Sequence, residues 1–86
     1  MLVEKKIWPK YFEAVISGKK KFELRLADFE IKEGDELLLR EWNPNTKEYT
    51  GRKIKKKVSY VIKTKDVDFW NKEKIDKYGY QIIQIN

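Results

Sequence analysis

Apolar and polar positions along this chain fall into short runs whose period changes from two to helical and back to two. Val3 to Ile7 can begin a sheet. Pro9 then opens a stretch in which Tyr11, Phe12, Val15 and Ile16 fall on one helical face. Proline suits the first turn of a helix and Gly18 the left-handed position after its end, so the spacing predicts a short helix ending at Gly18. No Ser, Thr, Asp or Asn stands immediately ahead of it as a cap. Lys20 to Leu26 returns to period two, with Phe22, Leu24 and Leu26 on one side and Lys21, Glu23 and Arg25 on the other. One strand therefore supplies both an apolar wall and a charged row.

An acidic connection follows, and Gly34-Asp35 before Glu36 to Trp42 reads as a turn into a buried strand. Residues 43–47 have turn chemistry and Gly51 adds a second break, so the run Arg52 to Lys63 is the returning arm of a long hairpin. In that arm Ile54, Val58, Tyr60 and Ile62 share a phase, with Lys56 intruding, and Lys53, Lys55 and Lys57 form an opposite, wet face. Residues 66–78 are polar but contain Phe69 and Trp70, and are expected to hold a helical turn before a closing strand from Gly79 to Ile85. There is no internal repeat, low-complexity tract or linker. The order predicts a mainly β, α+β domain spanning residues 1–86, with one or two short helices. Closure into a small mixed barrel would protect the sheet edges.

Composition narrows the chemistry. At 86 residues only about 60–65% of the unfolded surface is buried on folding, so the aromatic residues must fill much of the core. Twenty Lys and Arg against fourteen Asp and Glu give a net charge of +6. The excess is uneven: Arg52 to Lys65 carries cations and no acid, whereas Asp28 to Glu36 is acidic apart from Lys32. A basic field of this kind favours RNA or DNA, and a solvated lysine face is the equally weighted alternative. Cysteine and histidine are absent. Disulfides, thiolate chemistry and the usual zinc ligands are excluded, and any catalysis must use Lys, Glu, Asp, Tyr, Ser or Thr. No metal and no cofactor are expected. Apolar runs are far shorter than the roughly 20 residues of a membrane span, so a cytoplasmic protein is expected, working as a monomer. The 40% charged content, built on Lys and Glu, suits a thermophilic source.

The spacing of Gly18, Lys20, Glu23 and Arg25 resembles the Gly-x-Lys-x-x-Glu-x-Arg signature of the ASCH domain, a member of the PUA-like barrel superfamily. The flanking residues 11–17, Gly34-Asp35, residues 39–44 and residues 49–52 look like its small prokaryotic branch. The resemblance covers nearly the whole chain, is weaker over residues 64–78, and resumes at residues 79–83. It implies a PUA-like barrel with a cleft beside its helix that binds RNA or a nucleotide. Lys20, Lys21 and Arg25 would contact phosphate, Arg25 through a forked contact, while Glu23 would accept from a base amino group or hold Arg25 in place. The alternative from spacing is an internal Glu23–Arg25 salt bridge that organises the barrel mouth. Trp42 beside Arg40 and Tyr49 beside Arg52 are candidate stacking platforms, as is Trp70, with Lys53 and Lys55 extending the basic surface. Trp8, next to Pro9, is expected to be packing.

One branch of ASCH-like proteins hydrolyses the acetyl amide of acetylated cytidine with a lysine and a threonine of this signature and a glutamate from elsewhere. The lysine position matches Lys20, but Glu23 stands where the threonine would be. Binding is therefore expected ahead of catalysis, with an amidohydrolase using Lys20 and Glu23 as the alternative. A protein-interaction adaptor is the third reading.

Overall fold

The computed structural model describes residues 1–66, 73 and 76–86, which are mainly β with a short helix near the N-terminus. Strand β1 (Leu2–Ile7) leads into helix α1 (Pro9–Ile16), followed by β2 (Phe22–Leu26), β3 (Glu36–Asn43), β4 (Glu48–Lys63) and β5 (Tyr80–Ile85). A 3-10 turn, Thr64–Asp66, follows β4. The predicted element order is recovered, and the rest of the expected helical turn, with Phe69 and Trp70, lies outside the described residues.

Helix α1 begins as its sequence dictates. Trp8 is extended and its carbonyl accepts from the Tyr11 and Phe12 amides at 3.0 and 2.9 Å, while Pro9, which has no amide hydrogen, sits in the first turn. Gly18 ends the helix at φ +81°, donating to the Val15 carbonyl at 3.1 Å. The Lys20 amide is also committed to the helix, bonding the Ala14 carbonyl at 2.9 Å. That is why β2 starts at Phe22 rather than at Lys20. Only Phe12 and Val15 of the predicted apolar face are buried; Tyr11 and Ile16 are exposed, because the helix offers the sheet a stripe narrower than four residues.

The five strands order as β1-β3-β4-β5-β2, with β1 parallel to β3 and the other pairs antiparallel. The long strand β4 belongs to both halves of this curled, barrel-like sheet: residues 48–57 pair with β3 and residues 58–63 with β5. Between the halves, Val58 and Tyr60 oppose the consecutive residues Ile85 and Gln84, so Ser59 is an extra residue. Its hydroxyl donates to the Gln84 carbonyl at 3.2 Å. An extra residue reverses the facing of everything after it. The expected phase of Ile54, Val58, Tyr60 and Ile62 is corrected accordingly: Ile54 and Val58 face the core, whereas Tyr60 and Ile62 face solvent and Val61 packs inward.

Ile7, Phe12, Val15, Ile31, Leu37, Leu39, Val58, Ile83 and Ile85 form the core between helix and sheet. Strand β2 lies at an edge and turns its charged row inward. Glu23 is buried while Phe22, Leu24 and Leu26 are exposed, the reverse of an ordinary amphipathic edge strand.

Candidate functional site

Strands β1 and β2 occupy the two ends of the sheet order, and no ladder joins them. Curling brings them together, and the seam between them is a cleft of about 700 Å³, closed at one side by α1. Lys6 and Ile7 of β1, Trp8, Tyr11 and Ala14 of the helix segment, Lys19 and Lys20, and Phe22, Glu23, Leu24 and Arg25 line it. Apolar rings and chains make the walls. Trp8, expected to be packing, is 53% exposed and stands with the half-exposed Tyr11 in the wall, so sequence reasoning missed the cleft's own aromatics.

The charged centre of the cleft is Glu23. It is only 3% exposed, and its two oxygens are divided between Lys20 Nζ on one side and Arg25 Nε, at 2.9 Å, on the other. Arg25 then spans the seam, its Nη2 donating to the Lys6 carbonyl at 2.5 Å. A side chain thus replaces the missing ladder bond between β2 and β1. Nη1 of Arg25 has no acceptor among the described residues, and Lys20 Nζ keeps spare hydrogens beside the Phe22 ring, 5.2 Å from its centroid. The internal salt bridge weighed against ligand binding is therefore present, with unused donors at the cleft.

The remaining predicted residues divide among other places. Gly18 and Lys21 border a smaller cleft of about 290 Å³ on the far side of Lys20, with Lys56. Arg40, Trp42, Tyr49, Lys53 and Lys55 lie on the outer face of the β3–β4 hairpin, since Leu37, Leu39 and Glu41 take the inward positions. On that face the Arg40 guanidinium lies 3.8 Å from the Tyr49 ring centroid and bonds Glu4 at 3.2 Å, while Lys6 Nζ sits 4.5 Å from the Trp42 ring. Lys55 pairs with Glu36 at 3.5 Å, and Lys53 has no ion-pair partner among the described residues. Lys6 connects the two regions, its carbonyl holding Arg25 and its amine covering Trp42.

Arg52 is a correction. Its period-two phase is that of Ile54, so it faces away from Lys53 and Lys55 and toward the inward Glu41, next to the irregularity that holds Gly51 at φ +97° between the pairs Arg40↔Lys53 and Trp42↔Tyr49. Arg52 forks onto Glu41 at 2.9 and 2.8 Å and also bonds Glu13, while the Thr50 hydroxyl donates to Glu41 at 2.5 Å. Arg52 beside Glu41 holds that carboxyl below the usual carboxylate range, and Glu41 in turn raises the guanidinium. Glu41, 3% exposed, was missed, although its place in the period-two row after Leu37 and Leu39 signals a buried carboxylate that must find a cation. No group of three or more acidic, His or Cys side chains that could hold a metal occurs among the described residues, and none of their helices is long and apolar enough to cross a membrane.

Three comparisons bear on this geometry. The profile of a family described as a domain of unknown function (DUF3850) matches residues 3–85. An uncharacterised 12.9 kDa protein in the GpA 3′ region of Escherichia phage P2 is 38% identical over 63 residues, covering 73% of this chain; those residues span 56% of the phage protein's length. The crystal structure of hypothetical protein PH0355 superposes with a TM-score of 0.69 at 24% identity, over 100% of this chain and 98% of that one, a likeness of fold.

Proposed function

The chain belongs to the DUF3850 family, a domain of unknown function, and from its seam we propose a binding module for a nucleotide or a short single-stranded RNA. The observation that carries this reading is the buried Glu23, held between Lys20 and Arg25 at the centre of a cleft large enough for a nucleoside. A buried ion cluster is a poor means of stabilising a small protein compared with apolar side chains of the same volume, so its place in a cleft speaks for ligand recognition. Trp8, Tyr11 and Phe22 offer ring faces for a base, worth about 1–3 kcal/mol per stacked base. Arg25 Nη1 and Lys20 supply donors to a phosphate or carbonyl, and the lone pairs left on Glu23 accept from an exocyclic amino group.

Membership of the ASCH and PUA-like group is part of this proposal, supported by the meeting of Lys20, Glu23 and Arg25 in one cleft beside the turn at Gly18. A cytoplasmic location accompanies it. The outer lysine face would add affinity without selectivity. Reversing Lys53 and Lys55 to glutamate should weaken all single-stranded polyanions alike and flatten the log–log salt dependence by about 0.7 per lost phosphate contact. Arg25→Ala and Glu23→Gln should instead change which base or end group is preferred. Titrating a panel of nucleotides and short RNAs against these variants tests the reading. Equal, salt-insensitive losses in every variant would sink it.

Hydrolysis of an acylated nucleoside would have to occur in the same cleft. The described residues that line it include no Ser or Thr hydroxyl, and the carboxylate that would activate water, Glu23, is already shared by two cations. Acetylated cytidine is expected to emerge from incubation unchanged. Turnover abolished by both Lys20→Ala and Glu23→Gln would put catalysis in place of binding.

A further inference from the structure

We propose that the outer face of β2, β5 and β4 is the interface of a symmetric homodimer. Three rows cross this face: Phe22, Gln84 and Tyr60; Leu24, Ile82 and Ile62; Leu26 and Tyr80. Every one of these side chains is uncharged, in a chain that is 40% charged. The seven large apolar or aromatic members are each between 39% and 57% exposed. Scaled by side-chain size, they expose on the order of 700 Å², near the ~800 Å² that each partner contributes to a stable interface.

Two sequence devices produce this face: the inward turn of the Glu23–Arg25 row, which sends Phe22, Leu24 and Leu26 outward, and the extra Ser59, which sends Tyr60 and Ile62 outward to join them.

The chemistry of the face selects its occupant. An anionic polymer or a lipid headgroup layer would require cations, and none of these positions carries one. A neutral, apolar sheet face is complementary to another of its kind, packed at roughly 10 Å, and a second copy of the chain presents one without further requirement. In an isologous pair whose two-fold axis crosses the centre of this face, Ile82, in the middle row of the middle strand, meets its own counterpart whichever in-plane direction the axis takes. Phe22 and Leu24 also belong to the lip of the seam, so dimerisation would set the two cleft mouths side by side.

The test does not depend on what the seam binds. Sedimentation equilibrium across roughly 1 μM to 1 mM should show the wild-type protein approaching twice its 10.4 kDa chain mass. Ile82→Lys, which sets two ammonium groups against each other at the axis, should raise the dimer dissociation constant at least 100-fold with an unchanged circular dichroism spectrum. Leu24→Lys serves as the second variant should the first fail to fold. Because the chain lacks cysteine, an Ile82→Cys variant treated with a short bismaleimide should cross-link to itself, and a Lys47→Cys variant on the distant hairpin turn should not. A wild-type protein that stays monomeric throughout, alone or with phospholipid vesicles, overturns the proposal. A dimer indifferent to both lysine variants overturns it equally.

Discussion

Arg25→Ala should weaken binding of the preferred nucleotide or short RNA at least tenfold and erode its selectivity among bases. Three effects act together. The substitution removes the unused Nη1 donor of Arg25 from the cleft, and hydrogen bonds to charged groups contribute about 1.5–3 kcal/mol each. It frees Glu23 from the partner that fixes its second oxygen. It also severs the side-chain tie across the seam, Arg25 to the Lys6 carbonyl, so the cleft loses definition on both walls. Arg25→Lys should not restore affinity, because an ammonium cannot reproduce a planar fork that reaches Glu23 and the β1 backbone at once. Isothermal titration on the two variants, with circular dichroism to confirm that the sheet persists, checks the result.

The second large effect concerns stability rather than binding. Glu41→Gln should lower Tm by about 5 °C or more at pH 7, allowing for the solvent around the half-exposed Arg52. Because the Arg52 guanidinium holds the folded-state pKa of Glu41 below its ordinary value, the stabilisation is fully present above the unfolded-state pKa, about 4.3. It is lost as pH falls through the lower, folded-state value. Wild-type Tm should therefore drop on acidification below about pH 4.5 more steeply than that of Glu41→Gln, and the two curves should converge. Arg52 sets no alkaline limit in the usual range, since its own pKa is raised from an already high value. Parallel wild-type and variant curves through the acid range would mean that Glu41 does not carry the linkage.

Element order was legible in the sequence because each element announces its period and its boundaries: Pro9 and Gly18 around the helix, residues 43–47 in the hairpin turn. Asn43 shows why the latter works, its side chain accepting from the Asn45 and Thr46 amides at 2.8 and 3.4 Å. What alternation does not say is which of two faces points inward. In β2 the rule of burying the apolar side fails, because the edge strand closes a seam with ion pairs while β5, behind it, already fills the core with Ile83 and Ile85. In β4 a single residue, Ser59, resets the phase, and a serine between Val58 and Tyr60 carries no mark that distinguishes it from an ordinary solvent-facing position. Arg52 was grouped with Lys53 and Lys55 by charge although its phase is that of Ile54, and its partner Glu41 is set by the pairing of β3 with β4, which only the folded sheet defines.

The signature residues themselves were found, and three of them, Lys20, Glu23 and Arg25, meet as one cluster. The wider set of basic and aromatic residues was grouped by sequence proximity and charge. Folding separates it into a cleft, an outer lysine face and a buried Glu41–Arg52 pair. Trp8 and Tyr11 were undervalued because a residue beside a helix start reads as packing, whereas here the missing β1–β2 ladder leaves that corner open.

The central claim is that the open seam between β1 and β2 receives the ligand. Amide and tryptophan-indole chemical shifts followed during titration with a nucleotide panel test it most directly. Perturbations are expected to concentrate at residues 6–11 and 20–25, including the Trp8 indole, and to be lost in Arg25→Ala. Saturable binding whose perturbations fall only on the outer hairpin face, at residues 40–42 and 49–55, with residues 20–25 unmoved, would contradict it.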